Sequence, residues 1–308
     1  MAPTAEKAER SDLGEMLWRR ADAVTKHIGL TKPSVSFLMA ASASTVYVVR
    51  EPDLDGTALG VIFSLFLLFL GGATLNNYQD RDLDTRLRRT RRRPLPAREI
   101  AARAALIQAV ALILAGTLGL FSVGTSIALP IAGLLAIFFY NFVYTPLKRK
   151  TVLAVIPGAL CGILPVLMGW MAAGGGLQSP RLWILIVVFG VWQLPHFWLV
   201  VLANERDYRR SGIPNMLRFL TVRQLRKLVF VWVTAFLVLS LLLPVYGVVL
   251  SDSAMWVLLG NALILTSLFG FLLFLDRGGD RYRELFRYLN LSVAIVMGVI
   301  VVDVMAFT

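Results

Sequence analysis

The sequence predicts an all-α, polytopic membrane protein with about nine transmembrane helices around a central cavity and a cytoplasmic amino terminus. Three observations carry that expectation. Of 308 residues, 57% are hydrophobic and 16% charged, with a mean hydropathy of +0.70; a water-soluble globule of this size cannot bury so much apolar surface. The apolar residues gather into runs of about 20, the length that crosses a ~30 Å hydrocarbon layer. The charges gather between the runs. These features exclude a soluble enzyme, a disordered tail protein and a small disulfide scaffold. The single cysteine, Cys161, sits in an apolar run and reads as a small buried hydrophobe.

Residues 1–27 are too charged for a cleavable signal. Leu13, Leu17, Ala21, Val24 and Ile28 fall at helical spacing, which predicts an amphipathic helix lying at the cytoplasmic interface. Residues 28–308 form the transmembrane domain, with spans at about 28–49, 57–79, 100–120, 122–142, 153–173, 181–203, 228–248, 253–275 and 288–307. Nine helices make the connections alternate sides, and on that count 29 of the 31 Lys and Arg fall on the amino-terminal side, against Arg50 and Arg181 on the other. The positive-inside rule then places the amino terminus in the cytoplasm, with the chain in the cytoplasmic (inner) membrane of a bacterium. The net charge of +12 is thereby assigned to topology, with no nucleic-acid partner expected.

Two cytoplasmic loops, about 80–99 and 204–227, are long enough to be functional. Each opens on acidic residues at a helix end: Asn76-Asn77-Tyr78-Gln79-Asp80-Arg81-Asp82-Leu83-Asp84 and Asn204-Glu205-Arg206-Asp207-Tyr208. The four-helix offset between them reads as a weak internal repeat, two corners facing across a cavity. Pro130, Pro157, Pro165, Pro195 and Pro244 fall inside apolar runs and are expected to kink their helices.

Asn76, Asp80 and Asp84 are spaced i, i+4, i+8, so they share one face if the second span continues that far, while Asp82 points elsewhere. Three oxygen-bearing side chains form half a shell for Mg²⁺, which takes its remaining ligands from water and phosphate. The alternative is a solvated acidic helix end, at a cost, since carboxylates oppose the negative end of the helix dipole. Arg86, Arg88, Arg89, Arg91, Arg92 and Arg93 follow, more guanidinium groups than orientation requires, and such groups bind phosphate bidentately. Tyr144-Thr145-Pro146-Leu147-Lys148-Arg149-Lys150 closes the fourth span behind Phe138, Phe139, Tyr140 and Phe142. Lys148 by itself is a topology charge; beside the other two clusters it is a candidate phosphate ligand, and the aromatic run a lining for an apolar tail or a developing cation.

Together these elements resemble the UbiA-type family of intramembrane prenyltransferases. Its first aspartate motif, Asn-x3-Asp-x3-Asp, is met by Asn76, Asp80 and Asp84, and its Tyr-x3-Lys motif by Tyr144 and Lys148. Within the family the chain is most similar to the branch that farnesylates protohaem IX. It shares with that branch Arg89, Thr90, Arg93 and Pro94, the string Trp192-Gln193-Leu194-Pro195-His196-Phe197-Trp198, and Asp207-Tyr208 followed by Gly212-Ile213-Pro214. In the second aspartate motif the pair would be Ala203 and Asp207, leaving Asp207 as the ligand from that corner.

The resemblance implies transfer of the farnesyl group of farnesyl diphosphate to a vinyl group of protohaem. Asn76, Asp80, Asp84 and Asp207 would hold Mg²⁺. Asp80, Asp84 and Lys148 would be catalytic, while Arg89, Arg93, Tyr144, Arg149, His196, Asp207 and Tyr208 would bind substrate. The lipid bilayer, haem-copper oxidase assembly and haem A synthase are the implied partners. His196 reads either as a hydrogen-bonded core residue or as a contact to haem iron or a propionate. A sister enzyme acting on an aromatic quinone precursor and a polytopic anion transporter remain as alternatives, the latter leaving the acidic stripe unexplained.

Overall fold

A computed structural model describes residues 5–124, 126–275 and 281–307. Its order is α1 (Ala5–Leu30), α2 (Pro33–Arg50), α3 (Gly56–Asp84), α4 (Ala102–Val123), α5 (Ala128–Phe138), a π-helical segment (Phe139–Tyr144), α6 (Thr145–Leu147), α7 (Val155–Ala172), α8 (Pro180–Ala203), α9 (Glu205–Ser211), α10 (Val222–Ser240), α11 (Asp252–Gly270) and α12 (Arg281–Phe307). No strand interrupts the helices among the described residues.

Seven of these helices or continuous helical rods are long and apolar enough to cross a membrane: α3, α4, the α5–α6 rod, α7, α8, α11 and α12. The chain is an integral, multi-pass membrane protein. α2 and α10 occupy the other two expected spans but are less apolar. α2 carries Ser36, Ser42 and Thr45 inward, and α10 opens on Arg223, Arg226 and Lys227.

Side chains such as Leu118, Ile264 and Val302 lie exposed on the outside, where lipid covers them. Inside, Val46, Leu185, Val229, Phe236, Leu289 and Val296 belong to the larger of the buried clusters. Helix approach is set by small residues: a Cβ on Gly116 of α4 would stand 2.7 Å from the Ser64 carbonyl of α3, and one on Gly169 of α7 would collide with the Ala43 carbonyl of α2.

Helix ends differ from the expected spans in ways that matter for the site. α3 continues five residues beyond the expected end at 79, so Asp80 to Asp84 are helical. The first span starts at Pro33, because residues 28–30 complete α1 and Lys32 turns the chain with φ of 47°. Side chains of α1 are described only in part, and those of Leu13 and Leu17 lie outside the described residues. α1 is tied to α4 through His27 and Gln108, whose Nδ1 and Oε1 lie 2.6 Å apart. Gln108 Nε2 donates to the His27 carbonyl at 3.0 Å.

Of the five prolines, Pro165 and Pro195 lie inside helices. Pro130 and Pro157 fall in first turns, where no intrahelical N–H is missed. Pro244 follows the end of α10 at Ser240. Cys161 is buried, as its surroundings in the sequence predict.

Candidate active site

The continuation of α3 places Asn76, Asp80 and Asp84 on one buried face, exposed by only 1%, 4% and 6%. Asp82, on the opposite side, is exposed. Among the described residues no buried carboxylate is left bare. Lys148 Nζ donates to Asp80 Oδ2, and Arg149 Nη2 reaches Asp80 Oδ1 at 3.2 Å. Arg93 Nη1 bridges Asp84 Oδ2 at 2.8 Å and Asn77 Oδ1 at 3.2 Å. Lys32 Nζ donates to Asn76 Oδ1 at 2.6 Å, and Asn76 Nδ2 donates to Thr145 Oγ1 at 2.8 Å. Burial, then the nearby Arg93 and Lys148 charges, push the Lys32 ammonium down to about 7.

Local sequence explains this convergence. Thr90 caps the turn after α3 by donating to the Asp84 carbonyl at 3.0 Å, which folds the arginine segment back over the helix end. On the facing rod, Pro146 has no N–H to give to a carbonyl one turn earlier. The Asn141 carbonyl instead accepts from Gln79 Nε2 at 3.0 Å, which ties the π-helical segment to α3. That segment carries Tyr144 with the Lys148 ammonium 5.3 Å from its ring centre. Tyr140 stacks on Tyr144 at 5.8 Å, and Phe197 of α8 lies 6.2 Å from Tyr144. An aromatic wall therefore starts directly at the charged corner.

The second corner is built differently. The helix breaks at Asn204, whose side chain caps locally on the Val200 carbonyl at 2.8 Å. Glu205 pairs with Arg209 at 2.9 Å on the surface. Asp207 accepts the Arg88 backbone N–H at 2.9 Å, so the two corners do meet, through the arginine segment. Tyr208 hydrogen-bonds to Arg89; burial raises its hydroxyl, outweighing the guanidinium that favours ionisation. Asn215 closes the following loop, accepting from Leu217 N at 3.0 Å and donating to the Ile213 carbonyl at 2.8 Å, which gives this asparagine a structural task.

The structure thus assembles Asn76, Asp80, Asp84, Arg93, Tyr144, Lys148 and Arg149, and brings Arg89 and Tyr208 alongside. Asp207 engages Arg88, and among the described residues no group of three His, Cys, Asp or Glu side chains is placed to hold a metal ion. His196 stands apart between Trp192 and Phe286, at 4.8 Å and 4.7 Å between ring centres, with Nδ1 3.2 Å from Asn290 Oδ1. Its link to the corner runs through Phe197, 5.9 Å away. Lys32, Gln79, Asn141 and Thr145 were not anticipated. The signal for Lys32 was a solitary lysine at the head of an apolar run.

A hard divalent cation suits this donor set. Asn76 Oδ1 and the carboxylates of Asp80 and Asp84 offer oxygen ligands, and in the same corner Gln79 Oε1 and Asn141 Oδ1 are buried without a hydrogen-bond partner among the described residues. The charge balance calls for an anion as well, since Arg93, Lys148 and Arg149 pair with only two carboxylates, and Lys32 adjoins them through Asn76.

The profile of the "UbiA prenyltransferase family" matches residues 34–293. A protoheme IX farnesyltransferase from Geobacter sulfurreducens is 35% identical over 74% of this chain and 84% of its own length. One from Oleidesulfovibrio alaskensis is 36% identical over 68% of this chain and 70% of its own. Among solved structures, a UbiA homologue from Aeropyrum pernix superposes with a TM-score of 0.67 at 20% identity, covering 86% of this chain and 96% of that one. A UbiA homologue from Archaeoglobus fulgidus, bound to GPP and Mg²⁺, gives 0.64 at 16% identity over 89% and 99%. Fold, motif geometry and sequence agree: the chain belongs to the UbiA prenyltransferase family.

Proposed function

We propose that the protein transfers the farnesyl group of farnesyl diphosphate to a vinyl group of protohaem IX, making haem O in the bacterial inner membrane with its amino terminus cytoplasmic. The observation that carries this reading is that three basic side chains, Arg93, Lys148 and Arg149, outnumber two carboxylates at one buried corner with Lys32 beside them, continuous with an aromatic wall. A diphosphate suits the charge and an isoprenoid tail suits the wall. The acceptor is taken from the relatives named protoheme IX farnesyltransferase.

Asn76, Asp80 and Asp84 would hold Mg²⁺, which when bound neutralises the diphosphate as a Lewis acid. Asp207 would complete the ligand set by turning from Arg88. Lys148, Arg149 and Arg93 would leave their carboxylates for phosphate oxygens, and Arg89, steadied by Tyr208, would join them. Their pull grows as the allylic C–O bond breaks and the electron pair leaves with the diphosphate, so it speeds the step. The Tyr144 ring would face the allylic cation and limit water. The cation adds to the vinyl carbon; water then takes the new cationic centre and loses a proton, giving the hydroxyethylfarnesyl group. The product would pass to haem A synthase or haem-copper oxidase assembly.

The test offers the purified protein farnesyl diphosphate with protohaem or with 4-hydroxybenzoate, reading products by mass spectrometry. Farnesylated haem is the expected product. Prenylation of the benzoate alone would overturn the reading in favour of a sister enzyme of quinone synthesis.

A further inference from the structure

A second basic cluster lies at the same end of the bundle but touches none of the acidic stripe. Arg281, first residue of α12, is 6% exposed, and its Nε and Nη1 have no hydrogen-bond partner among the described residues. Its Nη2 donates to Tyr282 Oη at 3.2 Å, and Arg226 Nε of α10 donates to the same oxygen at 2.6 Å. Both guanidinium groups also flank the Tyr282 ring, at 5.0 Å and 5.5 Å from its centre. Two like charges thus share one neutral phenol, and one of them is buried with two donors unused. Such a group is costly unless an oxyanion completes it. Two forked guanidinium groups suit a carboxylate, which accepts paired N–H bonds.

The position of this cluster says which carboxylate. Tyr282, Phe286 and Asn290 share one face of α12 at i, i+4, i+8, rising about 12 Å at 1.5 Å per residue. Phe286 and Asn290 both contact His196, and His196 leads through Phe197 to Tyr144, beneath Lys148. A continuous wall therefore connects the arginine pair to the diphosphate corner. Protohaem has the matching polarity: carboxylates along one edge, vinyl groups on the far edge. Resting on the acceptor named above, the geometry points to Arg226 and Arg281 as the site that binds a propionate of protohaem, setting which edge of the ring faces the farnesyl donor.

The test measures binding of protohaem, its propionate dimethyl ester and farnesyl diphosphate to the full chain in detergent, for the native protein and for Arg226→Gln and Arg281→Gln. The native protein should prefer the diacid over the diester by about tenfold or more, the loss expected for charge-assisted hydrogen bonds. Each variant should lose that preference while diester and farnesyl diphosphate binding stay unchanged. Arg226 is half-buried on a separate helix, so its variant answers the question even if Arg281→Gln fails to fold. No preference in the native protein, or a preference kept in Arg226→Gln, overturns the propionate site while haem binding leaves the acceptor reading standing. Absence of any haem binding overturns both. A phospholipid lost from Arg226→Gln on native mass spectrometry, with the haem preference intact, would assign the arginines to a lipid phosphate and also overturn it.

Discussion

The two acidic corners have similar residues and opposite architectures. At the first, α3 runs unbroken through Asp84, and an i, i+4, i+8 stripe becomes one buried face lined by Lys32, Lys148, Arg149 and Arg93. At the second, the helix breaks at Asn204, and the same residue types scatter: one caps, one pairs on the surface, one grips the arginine segment. Side-chain spacing is a statement about a shared face only while the backbone keeps its helical period. The break turns a possible binding face into a brace.

The largest effect should come from the intact stripe. Asp80→Ala or Asp84→Ala should lower diphosphate release about a hundredfold or more, the loss typical of a preorganised charge-stabilising group, with helical circular dichroism unchanged. Removing divalent cations with a chelator should have a comparable effect on the native protein; full turnover in either case would put the chemistry elsewhere. Next, Lys148→Met should cut kcat by about a hundredfold with a smaller change in KM, because the ammonium works hardest on the departing diphosphate. A rise in KM alone would make Lys148 a docking charge.

The brace should respond less. Asp207→Ala frees the Arg88 backbone and removes the ligand that would have to turn inward to join the metal, so it should cost about tenfold in kcat/KM; a loss as large as that of Asp80→Ala would rank it with the ligands of α3. Smallest of all, Glu205→Gln removes an exposed pair with Arg209 and should change stability by less than about 1 kcal/mol and leave kcat/KM unaltered. A large effect there would show that the second corner is more than a brace.

Much of the site was legible because its signals are local. Asn76, Asp80 and Asp84 are tied by helix periodicity alone, and Tyr144 and Lys148 by one turn of the same rod. Lys32 was not legible as a partner of Asn76, 44 residues away, because a solitary lysine at a span boundary has the same appearance whether it marks topology or reaches inward. Arg226 and Tyr282 are 56 residues apart and sat among charges already assigned to orientation. His196 shows the converse: its string resembles a functional motif, while its ring is seated against Trp192 and Phe286 beside Asn290.

By itself, the sequence determined that this chain lives in a membrane, that its basic residues gather between the apolar runs, and that one helix end carries an acidic stripe. Those properties follow from composition and from the 3.6-residue period, which need no knowledge of distant residues. Only the tertiary structure decided which of the many basic side chains meet Asp80 and Asp84, that the second corner braces the first, and that Arg226 and Arg281 share a phenol with no acid on it among the described residues. Those pairings depend on which helices adjoin, and that is settled by close packing at small residues such as Gly116 and Gly169, where a single Cβ would hold the helices apart.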